Sequence, residues 1–204
     1  MAAAGEAKNE RRLRSRNATR IAIMNAARRV AARVGARNLS LRGAAAEAGF
    51  APAALYGYFR NKDELLLALA SEDLAVIARA MRTAMEQRDT ASPLVAASSA
   101  ALALLEQMET IAAASSALRT RAEQGESERI FNGRLIAALN ALSRATGRNS
   151  DSRAAQIDVV LLAASLTGLA VLARSGRLTA LGFGTGELIA RLDTRFSEAA
   201  GVQN

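Results

Sequence analysis

The side chains best suited to binding chemistry lie in one short segment, where aromatic rings, hydroxyl groups and a cation occur together. Four of the seven aromatic residues of the chain lie within ten positions: Phe50, Tyr56, Tyr58 and Phe59. A tyrosine has an apolar ring and a polar tip, so it suits a boundary between the protein and a charged partner. Both tyrosines, which shortly precede Lys62, therefore suit a boundary such as a phosphate backbone; alternatively, both merely edge the core.

Most catalytic chemistry is excluded by composition, because the 204 residues contain no cysteine and no histidine. Disulfides, thiolate nucleophiles, the usual zinc sites and imidazole-dependent dyads or triads all need one of these residues. Glu106 and Glu109 are one turn apart with no third ligand nearby, which is typical of a solvated helix face. The glycines of the segment 182–186 lack the preceding strand that a dinucleotide loop needs. We expect no enzyme activity, no cofactor and no metal.

Positive charge is concentrated at the N-terminal end of the chain. The first 62 residues contain 13 Lys and Arg against 3 Asp and Glu, whereas the remainder is slightly acidic within a net charge of +8. Such segregation favours a polyanion partner, most simply nucleic acid. The alternative is a basic tail without a fixed partner, but the bias extends beyond the tail into residues with helical periodicity.

The elements that must position these side chains are all predicted to be helices, about nine of them, since alanine dominates and only two prolines occur. We expect a first helix from about Thr19 to Val34. A second from about 41 to 48 is capped by Ser40 and ended by Gly49, and a third from Pro52 to about Phe59 follows a tight turn. Two short helices joined in this way are typical of a helix-turn-helix.

Helix geometry divides the aromatic residues into two groups. Leu55 and Phe59 are four positions apart and share one helix face, so we expect them, with Phe50, to pack onto the first helix. The remaining residues of this helix cannot all be buried: Ala53, Ala54, Tyr56, Gly57 and Tyr58.

The segment "IAIMNAARRVAARVGARNLSLRGAAAEAGFAPAALYGYFRNKDELLLAL" resembles the N-terminal domain of the TetR family of transcriptional regulators. The resemblance rests on Ala26-Ala27 and Gly35, then Ser40 and Arg42, then Ala48-Gly49, and on the Leu-Tyr-x-Tyr-Phe-x-x-Lys run that ends at Lys62. It covers about residues 19–69. Beyond these residues, only total length and helix count fit the family.

The resemblance implies an all-helical homodimer whose two heads read double-stranded DNA, each with its third helix in the major groove. By analogy, DNA is contacted by eight residues: Ser40, Arg42, Pro52, Ala53, Ala54, Tyr56, Tyr58 and Lys62. A Ser or Thr usually caps the third helix in the family, but Ala51 occupies that position here. Phe50 also stands where valine is more common, and we expect it to fill volume left by Ala31 and Ala44.

A long apolar helix is predicted from about 152 to 174, where the apolar run is interrupted by Ser165, Thr167 and Gly168 and is therefore interpreted as a buried helix rather than a membrane span. The resemblance favours a four-helix dimer contact made by this helix and the last one, through Leu161, Ala164, Gly168, Leu172, Leu188, Leu192 and Phe196. The alternative is that the helix lies at the centre of its own bundle.

The complete hypothesis is a ligand-responsive repressor in the cytoplasm that binds a palindromic operator as a dimer. It divides the chain into a disordered basic arm (1–16), a helix-turn-helix domain (17–62) and a domain for ligand binding and dimerisation (63–204). A largely apolar pocket for an unknown small-molecule effector is predicted to be lined by Met81, Met85, Leu104, Met108, Ile111 and Leu135. The alternative is a helical interaction module whose basic end binds nucleic acid or membrane without specificity.

Overall fold

The structure is a computed structural model that describes residues 2–87, 92–115, 125–147 and 152–201. Ten α-helices and one 3₁₀ turn, Ala36–Asn38, are found in these residues, and no strand is found among them. The prediction of an all-α fold is therefore confirmed. The helices are α1 (Ala2–Val34), α2 (Leu41–Ala48), α3 (Pro52–Leu55), α4 (Lys62–Glu86), α5 (Pro93–Leu105), α6 (Thr110–Ser115), α7 (Glu126–Ala145), α8 (Arg153–Arg174), α9 (Arg177–Ala180) and α10 (Thr185–Gly201).

Helix α1 begins at Ala2, where the sequence predicts a disordered arm as far as residue 16. This part of the chain lacks apolar periodicity, which was the basis of the prediction. Alanine and the straight-chain charged residues are nevertheless good helix formers, and a helix already begun downstream adds turns without a new nucleation step. Glu10 also accepts a hydrogen bond from Arg14 at 2.8 Å, one turn further along.

The turn between α2 and α3 forms as the sequence predicts, because each end has the residue that its backbone requires. The hydroxyl of Ser40 accepts from the Gly43 N–H at 3.0 Å and caps α2. Gly49 ends α2 with φ 73°, a left-handed conformation that favours glycine. Pro52 opens α3, whose N-cap Ala51 makes no side-chain hydrogen bond.

Helix α3 is shorter than predicted, ending at Leu55 rather than Phe59. The backbone continues as a turn in which the N–H groups of Tyr58 and Phe59 both donate to the Leu55 carbonyl, at 2.8 and 2.9 Å. Asn61 then accepts from the Glu64 N–H at 2.9 Å and caps α4, as its type and position predict.

Two compact units make up the fold. The first contains residues 1–70 and 110–128, and the second contains residues 71–109 and 129–204. In the first unit α1 packs against α2, and α2 packs against α3. Its largest fully buried side chains are Ile23, Leu39, Leu55, Phe59, Leu65 and Leu69. This core fixes the position of the α2–α3 turn, since it holds both Leu55 and Phe59.

Phe50 does not pack as predicted. Leu55 and Phe59 are completely buried, but Phe50 retains 36% of its exposure. Its backbone N–H donates to the Ala45 carbonyl at 2.9 Å, within the turn that ends α2. The side chain is therefore not part of the buried core with Leu55 and Phe59, whereas the expectation that it fills volume beside Ala31 and Ala44 stays a prediction.

In the second unit α5 packs against α8 and α10. Buried Leu102, Ala170 and Ile189 meet at the centre of this contact, one from each helix. The Ser92 hydroxyl donates to the Asp193 carboxylate at 2.7 Å and so joins the start of α5 to α10. The sequence predicts one continuous helix over 94–114, whereas the structure divides this segment into α5 and α6. A shorter helical piece, predicted to follow as far as about residue 122, lies outside the described residues from 116 onward.

Helix α8 has two apolar faces. One face is buried and follows helical spacing through Ala155, Val159, Leu162, Leu166 and Ala170. The opposite face is exposed although it is also apolar, so the prediction of a buried helix holds for one side only. By length and composition the helix could cross a membrane, with mean hydropathy 1.9 over 18 residues, but core helices of soluble proteins pass the same test.

Candidate nucleic-acid interface

The α2–α3 turn presents a surface of small side chains. Pro52, Ala53 and Ala54 are all exposed on α3, while Leu55 on its other side is completely buried. Short side chains on a projecting helix leave room for the backbone to approach a groove closely. The turn before α3 and the buried Leu55 hold this face outward, so a duplex could contact it without rearrangement of the core.

The start of α2, the helix that packs against α3, is suited to an anion. The Ser40 hydroxyl already accepts from Gly43, which leaves the N–H groups of Leu41 and Arg42 at the positive end of the helix without an intrahelical partner. Arg42 is itself exposed. A phosphate bound here would meet both the positive end of the helix dipole and an exposed cation.

The two tyrosines differ in environment. Tyr56 is 62% exposed, and no described interaction restrains its hydroxyl. Tyr58 is half-buried, and the Arg16 guanidinium lies 5.6 Å from the centre of its ring. The structure therefore leaves Tyr56 available to a partner and holds Tyr58 against α1.

Lys62 is half-buried at the start of α4, and its ammonium donates to the Arg37 carbonyl. This bond connects α4 to the 3₁₀ turn that precedes α2. An ammonium has three donors, so Lys62 retains hydrogen-bonding capacity for a phosphate while it keeps this contact.

Arg16 and Arg20 position the turn after α3, and the sequence alone did not identify either residue. Arg16 donates to the Gly57 carbonyl at 2.9 Å, and Arg20 donates to the Tyr58 carbonyl at 3.3 Å. The Arg20 guanidinium also stacks on the Phe59 ring, 4.4 Å from its centre. These contacts hold α1 against the turn after α3. Their spacing of four residues, one helical turn, was the available signal, but no sequence pattern shows which carbonyls the two side chains reach.

A pair of salt bridges joins α1 to α2. The Glu47 carboxylate is bound by Arg29 at 2.7 Å and by Arg33 at 2.6 Å. Hydrogen bonds from Arg33 and then Arg29 lower the pKa of Glu47 from 4.5 to about 2. The carboxylate therefore stays ionised and links α1 to α2 over the whole neutral range.

Residues 23–69, which contain the α2–α3 turn and this surface, match the model of the bacterial regulatory proteins of the tetR family. The chain carries the DNA-binding domain of the TetR family. This confirms the family resemblance that was inferred from the residues around Ser40 and Tyr56. No curated protein matches the sequence significantly.

Solved structures extend the likeness to the whole TetR-type fold. A protein of unknown function from Rhodococcus has a TM-score of 0.69 at 21% identity, covering 89% of this chain and 94% of that one. A TetR family transcription regulator from Marinobacter aquaeolei has a TM-score of 0.61 at 22% identity, with coverages of 92% and 97%. The FadR regulator of Bacillus subtilis, in complex with stearoyl-CoA, has a TM-score of 0.59 at 18% identity, covering 87% of this chain and 97% of that one. At these identities the likeness establishes the fold alone.

The residues predicted for dimerisation are more exposed on α8 than on α10. Leu161, Ala164, Gly168 and Leu172 are exposed on the outer face of α8, with Leu161 retaining 54% of its exposure. On α10, Leu188, Leu192 and Phe196 are half-buried. Both sets stay predictions for an interface.

The residues predicted for the TetR-type effector pocket are placed on several elements. Met81 is buried on α4; the other five are half-buried: Met85 (α4), Leu104 (α5), Met108 (between α5 and α6), Ile111 (α6) and Leu135 (α7). Five belong to the second compact unit and Ile111 belongs to the first. Their role as pocket walls stays a prediction. Among the described residues, no group of three or more His, Cys, Asp or Glu could hold a metal ion.

Proposed function

We propose that the protein is a ligand-responsive transcriptional repressor that acts in the cytoplasm and binds a palindromic operator as a homodimer. The observation that supports this most directly is the exposed small-residue face of α3, held outward by Leu55, within the segment that matches the family. A helix presented in this way has the geometry of a recognition helix.

In the proposed complex, Pro52, Ala53 and Ala54 face the base edges in the major groove. Ser40 and Arg42 bind a phosphate at the start of α2, while Tyr56 and Lys62 bind phosphates on the other side of α3. Tyr58 supports this second contact from its position under Arg16. Most of these contacts position the protein, and the sequence preference comes from the few groups in the groove.

The exposed face of α8 is the proposed dimer contact. Ile157, Val160, Leu161, Val171 and Leu172 are all large, apolar and exposed on this helix. Together they form a continuous patch of a kind that soluble monomers rarely expose. Ala164 and Gly168 lie between them, and their small size allows a partner helix to approach closely. Leu188, Leu192 and Phe196 on α10 complete the proposed contact.

An apolar small molecule is the proposed effector. Met81, Met85, Leu104, Met108 and Leu135 supply the flexible and apolar side chains that line such sites. One regulator of similar fold is known in complex with stearoyl-CoA, which supports an acyl or similarly apolar ligand as the first class to test. Binding would shift the population between two spacings of the DNA-binding heads and so release DNA.

Selection of genomic fragments by the purified protein tests the proposed DNA recognition. We expect enrichment of a palindrome that is bound ~10³-fold or more above scrambled duplex at the same salt. Tyr56→Phe removes only a hydroxyl and should weaken binding about five-fold, while Tyr56→Ala also removes the ring and should weaken it further. Equal binding to the operator, scrambled duplex and heparin would instead support the non-specific interaction module.

Sedimentation of the unliganded protein tests the dimer. Leu161→Glu places a charge in the proposed contact and should yield monomers, whereas Gln156→Glu, at another exposed position of α8, should not. A dimer that survives Leu161→Glu with unchanged affinity means that the contact lies elsewhere.

A further inference from the structure

An open cleft of about 600 Å³ lies between the first half of α1 and the turn after α3. Its walls on α1 are Lys8, Arg11, Arg12, Ser15 and Arg16, and its other wall is formed by Gly57 and Tyr58. Four of the five α1 residues are cations, and no carboxylate is among the lining residues. The cleft is therefore a positively charged surface that continues directly from the end of α3.

Helical spacing explains why these cations face one way. Positions 8, 11, 12, 15 and 16 follow the i, i+3, i+4, i+7, i+8 pattern and form a single stripe along the helix. The stripe is ~12 Å long, from the eight steps of 1.5 Å between positions 8 and 16. Glu10 and Arg14 pair with each other at 2.8 Å on the opposite side of α1, so Glu10 does not neutralise the stripe.

Contacts between α1 and the turn after α3 fix the position of the stripe. Arg16 bonds the Gly57 carbonyl and stacks on Tyr58, and Arg20 bonds the Tyr58 carbonyl one turn later. These contacts leave Lys8, Arg11 and Arg12 exposed, without a described ion pair. Three exposed cations therefore lie on one face of α1, whose next turn is bonded to the turn after α3.

We propose that the first half of α1 is a second DNA-contacting element, in which Lys8, Arg11 and Arg12 bind the sugar-phosphate backbone that flanks the half-site read by α3. The inference rests on the proposed operator binding. A duplex docked on α3 continues past Gly57 and Tyr58, which line both surfaces. It carries one negative charge per ~1.7 Å of axis, so the stripe meets several phosphates. Arg16 is a positioning residue, because its guanidinium is already bonded to the protein.

Salt dependence measures this contact directly. Each phosphate neutralised adds about 0.9 to the slope of log K against log salt concentration, so three contacts add about 2.7 for each head. The triple variant Lys8→Gln, Arg11→Gln, Arg12→Gln should lose this part of the slope on a duplex with long flanks. Glutamine keeps nearly the same helix propensity, so α1 itself should persist, as circular dichroism can verify.

Arg12→Gln and Arg14→Gln are a matched pair, since they remove the same charge from opposite sides of one helix. On long duplexes we expect Arg12→Gln to lower the slope by about 0.9 per head and Arg14→Gln to leave it nearly unchanged. On duplexes trimmed to the two half-sites, the triple variant and the wild type should bind alike. Equal slopes for Arg12→Gln and Arg14→Gln, or an equal loss on trimmed duplexes, would overturn the inference.

These experiments distinguish failure of this inference from failure of the proposed function. Operator binding that is sequence-specific in the wild type and weaker in Tyr56→Ala, with no dependence on the α1 face, refutes only the second element. Absence of operator preference in the wild type refutes both.

Discussion

The missing cap of α3 is a feature that a single substitution can repair. Ala51 has φ −63° and ψ 138°, an extended conformation suited to an N-cap, yet it makes no side-chain hydrogen bond. Ser40 has a similar extended backbone, φ −136° and ψ 152°, and its hydroxyl caps α2. Ala51→Thr should therefore let a hydroxyl accept from an N–H of the first turn of α3.

The magnitude follows from what the new hydroxyl can reach. A side-chain cap contributes about 1 kcal/mol on average. The Ala54 N–H already donates to the Ala51 carbonyl at 2.9 Å, so the hydroxyl shares that donor or takes the Ala53 N–H. A gain of about 0.5–1 kcal/mol is then expected, which raises the melting temperature by about 1–4 °C in a chain of this size.

Ala51→Val is the matched control, because valine has the shape and the β-branch of threonine without the acceptor. Thermal unfolding of the two variants should differ by that 1–4 °C in favour of threonine, and hydrogen exchange at the Ala53 and Ala54 amides should slow only in Ala51→Thr. If both variants melt together and exchange alike, the cap is not what limits the order of α3.

Three further outcomes are expected in stability measurements. Phe59→Ala should destabilise the protein by about 3–5 kcal/mol in chemical denaturation, because the ring is completely buried under the Arg20 guanidinium; Phe59→Leu should cost clearly less. Glu47→Gln should be less stable than wild type at pH 7, and the difference should vanish as the pH falls from 4.5 to about 2. The folded-state pKa is lowered, so the stabilisation is present above the unfolded pKa and is lost through this window; a difference independent of pH would contradict the role of the carboxylate charge. Ser98→Ala should stabilise the protein by about 1 kcal/mol or more, since the Ser98 hydroxyl is buried without a partner among the described groups; a loss of stability would mean that the hydroxyl is bonded.

The helical elements of the DNA-binding head could be predicted from sequence because their ends depend on local chemistry. Ser40, Gly49, Pro52 and Asn61 each occupy the helix end where their side chain or backbone preference is satisfied by atoms a few residues away. The burial of Leu55 and Phe59 followed from their shared helix face. The family resemblance added the candidate roles of the exposed residues.

Phe50 and the N-terminal extension of α1 could not be predicted in the same way. Phe50 is a large apolar residue of the kind usually found in cores, but the path of the turn after Gly49 leaves its side chain partly exposed. The first sixteen residues have no apolar period, yet they continue a helix whose later turns are anchored by packing. Neither feature can be inferred from local composition, because each depends on how other parts of the chain pack.

By itself, the sequence determined that the protein is all-helical, that its N-terminal third is basic, and that a helix-turn-helix of the TetR type lies near residues 40–59. These properties rest on propensity, charge and short-range capping, which act over a few residues. Only the tertiary structure decided that Arg16 and Arg20 reach the carbonyls of Gly57 and Tyr58, about 40 positions away in the chain. It also decided that one apolar face of α8 is buried while the other stays open, because burial depends on which neighbouring helices come to cover each face.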